Sequence, residues 1–288
     1  MNNNENVLSQ TGFGRFSTLE LFYTKPEIAL LCYQKVKEKL NLSNNDLFIE
    51  PSAGTGEFIK LIKNDFQNNI AYDINPRQEY IKKINFLDVN FNDIKNEYDN
   101  CKIHIIGNPP FGRQSCLAKK FIKHSINNVD SISFILPNSF KKESMNKVFG
   151  PKFHLVYQYE IPHNSFYLVN NKDHNVPTIF QIWEKRLINR NFIPIIEPIG
   201  YKFVSKSDNP HFSFRRVGIN AGNIETNVEK SEQSHYFIKL NDNYINKKNL
   251  LLQQLKNVNF DENNTVGPKS IGKNEVNIKY NPIFVSFA

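Results

Sequence analysis

The stretch of this sequence best equipped for chemistry is Gly107-Asn108-Pro109-Pro110-Phe111-Gly112. It follows the apolar run Ile103-His104-Ile105-Ile106, which predicts a buried strand, and it ends at a glycine. Two consecutive prolines donate no backbone hydrogen bond, so the strand stops there and the chain turns in a fixed shape. The turn presents the Asn108 amide, two carbonyls with no competing N–H, and the Phe111 ring. Acceptors beside a stacking surface suit a planar ligand that carries an amino group. A lone NPP reads as a stiffened surface turn; this one has a second, glycine-rich turn upstream of it.

That second turn runs Pro51-Ser52-Ala53-Gly54-Thr55-Gly56-Glu57-Phe58, between a short strand, Leu47-Phe48-Ile49-Glu50, and a helix over 58–63. Glycines between strand and helix let the backbone approach a ligand closely, with helix amides pointing at it. One step later Ile70-Ala71-Tyr72-Asp73-Ile74 predicts a strand ending in a carboxylate. An acid there is placed to grip ribose hydroxyls, or else to cap a helix. The segment 84–89 predicts a third strand carrying Asp88, and the strand before Asn108 is the fourth.

The elements that position these groups start at Leu19-Glu20-Leu21-Phe22-Tyr23-Thr24-Lys25-Pro26-Glu27, which leads into a helix. Thr24 serves as its N-cap, Pro26 and Glu27 suit its first turn, and Ile28, Leu31, Cys32, Val36 and Leu40 form its apolar stripe. Beyond Phe111 the pattern gives a helix over 116–126 and strands over 132–137, 153–161 and 176–183. Alternating strands and helices followed by two late strands predict an α/β fold: a mostly parallel sheet with an antiparallel edge strand. From Asn189 the alternation shortens, as in His211-Phe212-Ser213-Phe214-Arg215-Arg216-Val217. Three parts follow: a mobile arm over 1–17, a main domain over 18–188, and a small α+β appendage over 189–288 suited to target recognition.

The order of these motifs resembles class I S-adenosylmethionine-dependent methyltransferases, in particular the type that methylates the exocyclic N6 amine of adenine and carries NPP(Y/F). The resemblance covers roughly residues 18–185. It implies a Rossmann-like sheet and S-adenosylmethionine as cofactor. It implies that Thr24 helps hold the methionine carboxylate and that Glu50 lies near the methionine amine. Ser52, Gly54 and Gly56 belong to the cofactor turn, Asp73 and Ile74 to the ribose site, and Asp88 and Val89 to the cofactor's adenine. Asn108, Pro109, Pro110 and Phe111 form the catalytic turn, with Asn108 also beside the cofactor. Phe166, in Ile161-Pro162-His163-Asn164-Ser165-Phe166, would pack against a flipped base opposite Phe111; a buried loop phenylalanine is the other reading.

Composition narrows the class. Of 288 residues 40% are hydrophobic, 24 of them Phe, enough for a large aromatic core. No apolar run reaches membrane-spanning length. That argues against a membrane partner, while Cys32, Cys101 and Cys116 show neither disulfide nor zinc spacing, which predicts a reduced intracellular setting and no metal. The net charge of +8 suits a polyanionic partner. DNA is the expected nucleic acid, because the long tail suits target recognition, with RNA such as rRNA as the alternative. Arg215 and Arg216 are candidates for backbone contact there. A protein-glutamine methyltransferase and a catalytically silent binding module of the same fold are the remaining readings. No cysteine follows a proline, which sets aside cytosine carbon-5 chemistry.

Overall fold

The apolar runs form a seven-stranded sheet in the computed structural model, which describes residues 22–192, 194–260 and 269–288. The arm expected over 1–17 lies outside the described residues. The chain divides into two compact units, residues 1–192 and 193–288, a few residues past the change of texture at Asn189.

In the first unit the order is β1 (Phe22–Thr24), α1 (Pro26–Lys39), β2 (Leu47–Glu50), α2 (Glu57–Asp65), β3 (Asn69–Asp73), β4 (Lys82–Lys83), α3 (Phe91–Glu97) and β5 (Ile103–Gly107). Then come α4 (Cys116–Ser125), β6 (Ser131–Pro137), α5 (Glu143–Asn146), β7 (Phe153–Glu160), β8 (Phe166–Leu168), β9 (Asp173–His174) and β10 (Thr178–Lys185). The large sheet runs β4-β3-β2-β5-β6-β10-β7. Strand residues alternate between two cores. Phe48, Ile106 and Ile135 face α1 and α2, while Ile49, Ile105 and Phe134 face α3 and α4. Each such side chain, fully buried, contributes about 1.5–3 kcal/mol. Both faces are covered, so the parallel strands read as continuous apolar runs.

Three details differ from the sequence reading. The sequence puts the antiparallel strand at the sheet edge; β10 instead lies one place in, antiparallel to both β6 and β7. Burial explains the choice: Thr178 through Trp183 are all buried, whereas most of β7 is partly or fully exposed and tolerates an edge. The segment 84–89 is not a strand. Two residues, Lys82–Lys83, pair with β3, and Phe86–Asp88 form a 3-10 turn in which the Asn85 side chain accepts from Leu87 N. Thr24 is not a helix cap either. It belongs to β1, and Lys25 precedes α1 with Pro26 fixing the first turn.

β1 pairs antiparallel with β8, and β8 with β9, making a small separate sheet. Its register sets Thr24 opposite Phe166 and Tyr23 opposite Tyr167. The Lys25–Asp173 ion pair at 2.8 Å adds a clasp.

The second unit is an antiparallel sheet, β11-β14-β12-β13, built from β11 (Tyr201–Val204), β12 (Phe212–Arg215), β13 (Ile224–Glu225) and β14 (His235–Leu240). It carries α6 (Asp242–Ile245), α7 (Lys248–Lys256) and α8 (Lys273–Phe287). Phe212 and Phe214 are fully buried and share one core with Leu251 and Leu255 of α7 and Val276, Tyr280 and Phe284 of α8. The aromatic face therefore packs on its own unit. One helix face bears Asn274, Asn277 and Asn281, whose amides bond the backbone of residues 194–199 at 2.5–3.3 Å.

At the opposite end of the main sheet from the two turns, three strands are pinned by a buried polar cluster. His104 lies 2.7 Å from Ser131 Oγ and 3.1 Å from Asp46 Oδ2, and Asp46 also accepts from Ser43 N. All three side chains are buried, and burial holds the imidazole pKa below its ordinary value. Asp46→Ala strands a buried ring nitrogen, so it should cost about 1–3 kcal/mol. Urea unfolding should show that loss with ligand binding intact; an unchanged midpoint would mean water satisfies the cluster.

Candidate active site

In the sheet the chain proceeds from β2 outward to β3 and β4, then returns to lay β5 on β2's other side. Parallel pairing puts the ends of β2 and β5 together, and strand order reverses between them. In open α/β sheets ligands bind in the crevice beyond the strand ends at such a switch point. Both turns singled out in the sequence leave the sheet there.

Direct hydrogen bonds join them. Ser52 Oγ donates to the Asn108 carbonyl at 3.0 Å, and Asn108 Nδ2 donates to Thr24 Oγ1 at 3.2 Å. Asn108 Oδ1 is buried and has no hydrogen-bond partner among the described residues. An acceptor buried without a partner costs about 1–3 kcal/mol, so the turn holds it at a price in stability. Thr24 thus touches Asn108, a contact that sequence spacing does not reveal.

Glycine is required in the first turn. Gly54 has φ +51°, and a Cβ there would meet the Tyr23 ring at 2.8 Å. Gly56 has φ +80° and would place a Cβ 3.0 Å from Tyr80 Oη. Gly54 N donates to Asp73 Oδ2 at 2.7 Å and Asn75 N to Asp73 Oδ1 at 2.8 Å. Each Asp73 oxygen keeps a further lone pair for a hydroxyl donor. Beside it Ile74 is 47% exposed, an apolar face next to that carboxylate. Tyr23 and Tyr167 lie over the turn from the small sheet, with Arg77 Nε 3.3 Å from Tyr23 Oη and Thr55 Oγ1 3.3 Å from Tyr167 Oη. Sequence reasoning does not single out these two tyrosines, although each is next to a residue chosen there.

Glu50, at the end of β2, is 2% exposed and accepts from Ile59 N at 2.8 Å. Burial pushes its pKa up to about 8, against the pull of the Ile59 and Phe58 amides, with Glu57 and Asp73 adding repulsion. Asp88 and Val89 are held by other partners. Asp88 is exposed and accepts from Asn85 Nδ2 at 3.1 Å, and the Val89 carbonyl faces His124.

Phe111 and Phe166 come together through a third ring. Phe22 packs edge-on against both, at 5.4 and 5.1 Å between centroids, and near His174 at 5.4 Å. Phe111 and Phe166 are 5% and 1% exposed, so the two stacking candidates are covered. Directly after the turn Gln114 and Ser115 both have positive φ, 53° and 58°, which is strained for residues other than glycine. Arg215 and Arg216 belong to the second unit. Arg215 Nε donates to the Val217 carbonyl at 3.1 Å, and the Arg216 guanidinium lies 5.1 Å over Tyr236. Among the described residues no group of three His, Cys, Asp or Glu side chains could hold a metal, and no helix is long and apolar enough to cross a membrane.

Neither a family model nor a curated protein matches the chain. Among solved structures it is similar to a SAM-dependent methyltransferase from Anabaena variabilis, at 11% identity over 58% of this chain and 88% of that one, TM-score 0.43. It is similar to the 23S rRNA methyltransferase ErmE at 12% identity over 59% and 71%, TM-score 0.41. An rRNA methylase from Streptococcus thermophilus matches at 14% identity over 54% and 94%, TM-score 0.35. Scores this low carry no argument, and the fold stands on the strand order and register given above.

The buried Glu50 carries a pH prediction. Its folded pKa of about 8 exceeds the roughly 4.3 of an unfolded glutamate, so the native state keeps a proton that the unfolded state has lost. Its contribution to stability therefore falls as pH rises from about 4.3 to 8. Glu50→Gln should gain stability over wild type across that window, most at its alkaline end, in denaturant melts at several pH values. Parallel curves for the two proteins would show that Glu50 is ionised throughout.

Proposed function

We propose that the first unit is an S-adenosylmethionine-dependent methyltransferase acting on the exocyclic N6 amine of adenine in nucleic acid. The observation that carries this reading is Asn108 Oδ1: a buried acceptor with no partner, in a proline-locked turn, beside a glycine turn at the switch point. A buried acceptor of this kind is satisfied by an N–H donor, and an exocyclic amine supplies two.

The chain's own groups fit the cofactor. Gly54 and Gly56 keep side chains out of the crevice, Asp73 has lone pairs left for ribose hydroxyls, and Ile74 offers an apolar face to a purine. Glu50 lies at the strand end, where a nearby ammonium group would favour release of its proton to solvent and pair with the carboxylate left behind. Ser52 and Thr24 act by fixing Asn108. Asp88 and Val89 are assigned to the cofactor's adenine on sequence resemblance. When bound, the cofactor supplies a methyl group on positively charged sulfur.

An adenine amine is a poor nucleophile because its lone pair is delocalised into the ring. Asn108 Oδ1 and the Pro109 carbonyl accept its two N–H bonds, hold it in place and favour a tetrahedral nitrogen whose lone pair is available. Asn108 is no base, so the surplus proton leaves for solvent after transfer. Phe111 and Phe166 replace the stacking that a base loses when extruded from a helix, worth about 1–3 kcal/mol. Phe22 lies against both rings and must shift for a base to enter between them. DNA is the substrate expected from the long second unit, and the assay sets duplex DNA, single-stranded DNA and rRNA side by side.

Calorimetry should show S-adenosylmethionine binding to wild type, weakened in Asp73→Ala and lost in Gly54→Leu. Asn108→Ala should keep that affinity within about 1 kcal/mol and lose on the order of 100-fold or more in methyl transfer. Normal turnover by Asn108→Ala would place the amine elsewhere. Equal cofactor affinity in wild type, Asp73→Ala and Gly54→Leu would sink the cofactor assignment.

A further inference from the structure

The second unit contains a groove of about 800 Å3 remote in sequence from both turns. It is formed around β11, one edge strand of the four-stranded sheet, by Lys202 and Phe203, by Ser205 and Asn209 just after it, by Lys239 of β14 and by Lys273 at the start of α8. The antiparallel register sets Lys202 directly opposite Lys239. Like charges so placed destabilise a sheet.

The three ammonium groups are only partly offset locally, by the nearby charge of Asp208. Lys239 Nζ donates to the Asp208 backbone carbonyl at 3.1 Å, and Lys273 Nζ lies 4.9 Å over the Phe203 ring and 5.7 Å over Tyr236. Among the described residues no carboxylate stands within ion-pair distance of any of the three. Other lysines of this unit are different: Lys206 pairs with Glu229 at 2.5 Å and Lys230 with Glu225 at 2.6 Å. One acid, Asp208, lines the groove. Its carboxylate is turned to Ser205, accepting from the backbone N at 3.0 Å and from Oγ at 2.7 Å, and those bonds, with the nearby charges of Lys239 and Lys202, hold its pKa below the ordinary range. The groove therefore keeps three cations against one anion whose lone pairs are partly used.

We propose that this groove binds the phosphodiester backbone of nucleic acid, with successive phosphates on Lys202, Lys239 and Lys273. Ammonium groups act as separate point charges, which suits a chain of monoanionic phosphates spaced along a backbone. The choice of nucleic acid over an acidic peptide rests on the methyltransferase reading of the first unit. Phosphate contact assigns Lys202, Lys239 and Lys273 the positioning role that the sequence suggests for Arg215 and Arg216. In the structure Arg215 is bonded to its own loop and Arg216 lies over Tyr236.

The test measures fluorescence anisotropy of labelled single-stranded DNA, single-stranded RNA and duplex DNA with the full chain, across about 50 to 200 mM salt. Compared are wild type, the triple variant Lys202→Ala/Lys239→Ala/Lys273→Ala, and the control Lys206→Ala/Lys230→Ala. The triple variant should bind at least tenfold more weakly at low salt. Its plot of log affinity against log salt should be flatter by about 2 for single strands, at roughly 0.7 per phosphate contact. The control should follow wild type. Coincident lines for wild type and triple variant overturn the proposal, as does wild type that binds no oligonucleotide. Displacement of the oligonucleotide by polyglutamate at equal charge concentration overturns it in favour of an acidic peptide. Lys202 and Lys273 are exposed, and the single variant Lys202→Glu guards against a folding defect in the triple one. Cofactor titration separates the two readings: wild type that fails to bind S-adenosylmethionine refutes the methyltransferase assignment while the salt lines still judge the groove.

Discussion

Parallel pairing of β2 with β5 brings the ends of two strands, and the two turns that leave them, to one edge of the sheet. Nothing local in sequence joins Ser52 to Asn108, which are 56 residues apart, yet a hydrogen bond ties the two turns together. The pairing in turn depends on Leu47, Phe48 and Ile49 being completely buried between two helical layers, a register favoured only when both cores are filled. β1 then fixes Asn108 through Thr24, and β8 holds β1 in place. A slip of one residue in any of these pairings would turn Asn108 or Thr24 away from the site.

Polar groups at the crevice are kept in states that folding alone would not favour. Glu50 is buried with a raised pKa, Asn108 Oδ1 is buried without a partner, and Gln114 and Ser115 have positive φ just after the turn. Stability is drawn from elsewhere: the paired apolar faces of the sheet, the stacked Phe149 and Trp183 rings at 4.2 Å, and the His104 cluster at the far strand ends. Strain gathered at one edge of a closely packed sheet is the pattern expected of a site that works on a ligand.

Much of this is legible in the sequence for a physical reason. Strands buried on both faces must be continuous apolar runs, and prolines and glycines must mark their ends, so β2, β3, β5, β6 and β10 stand out in the residue pattern alone. Their order across the sheet does not, since it depends on pairings between residues far apart. The place of β10 inside the edge is such a case. Thr24 has the chemistry of a helix cap, and only the folded chain, with Thr24 in β1 accepting from Asn108 Nδ2, shows that it meets Asn108 instead. Phe22 is unremarkable in sequence, yet it links Phe111 and Phe166. The helix α8 is hidden because Asn274, Asn277, Asn281 and Pro282 argue against a helix. Its asparagines are used as backbone clamps for residues 194–199, a role that an asparagine-rich composition disguises.

The central claim is that Asn108 Oδ1 receives the amine of adenine. Its most direct measurement is mass spectrometry of nucleosides released from DNA and RNA after incubation with the protein and S-adenosylmethionine carrying a deuterated methyl group. The account predicts label on N6 of adenine and nowhere else, in whichever nucleic acid is accepted. Label on a ring nitrogen, a carbon or a ribose hydroxyl, where there is no exocyclic amine to donate to Asn108, would contradict it.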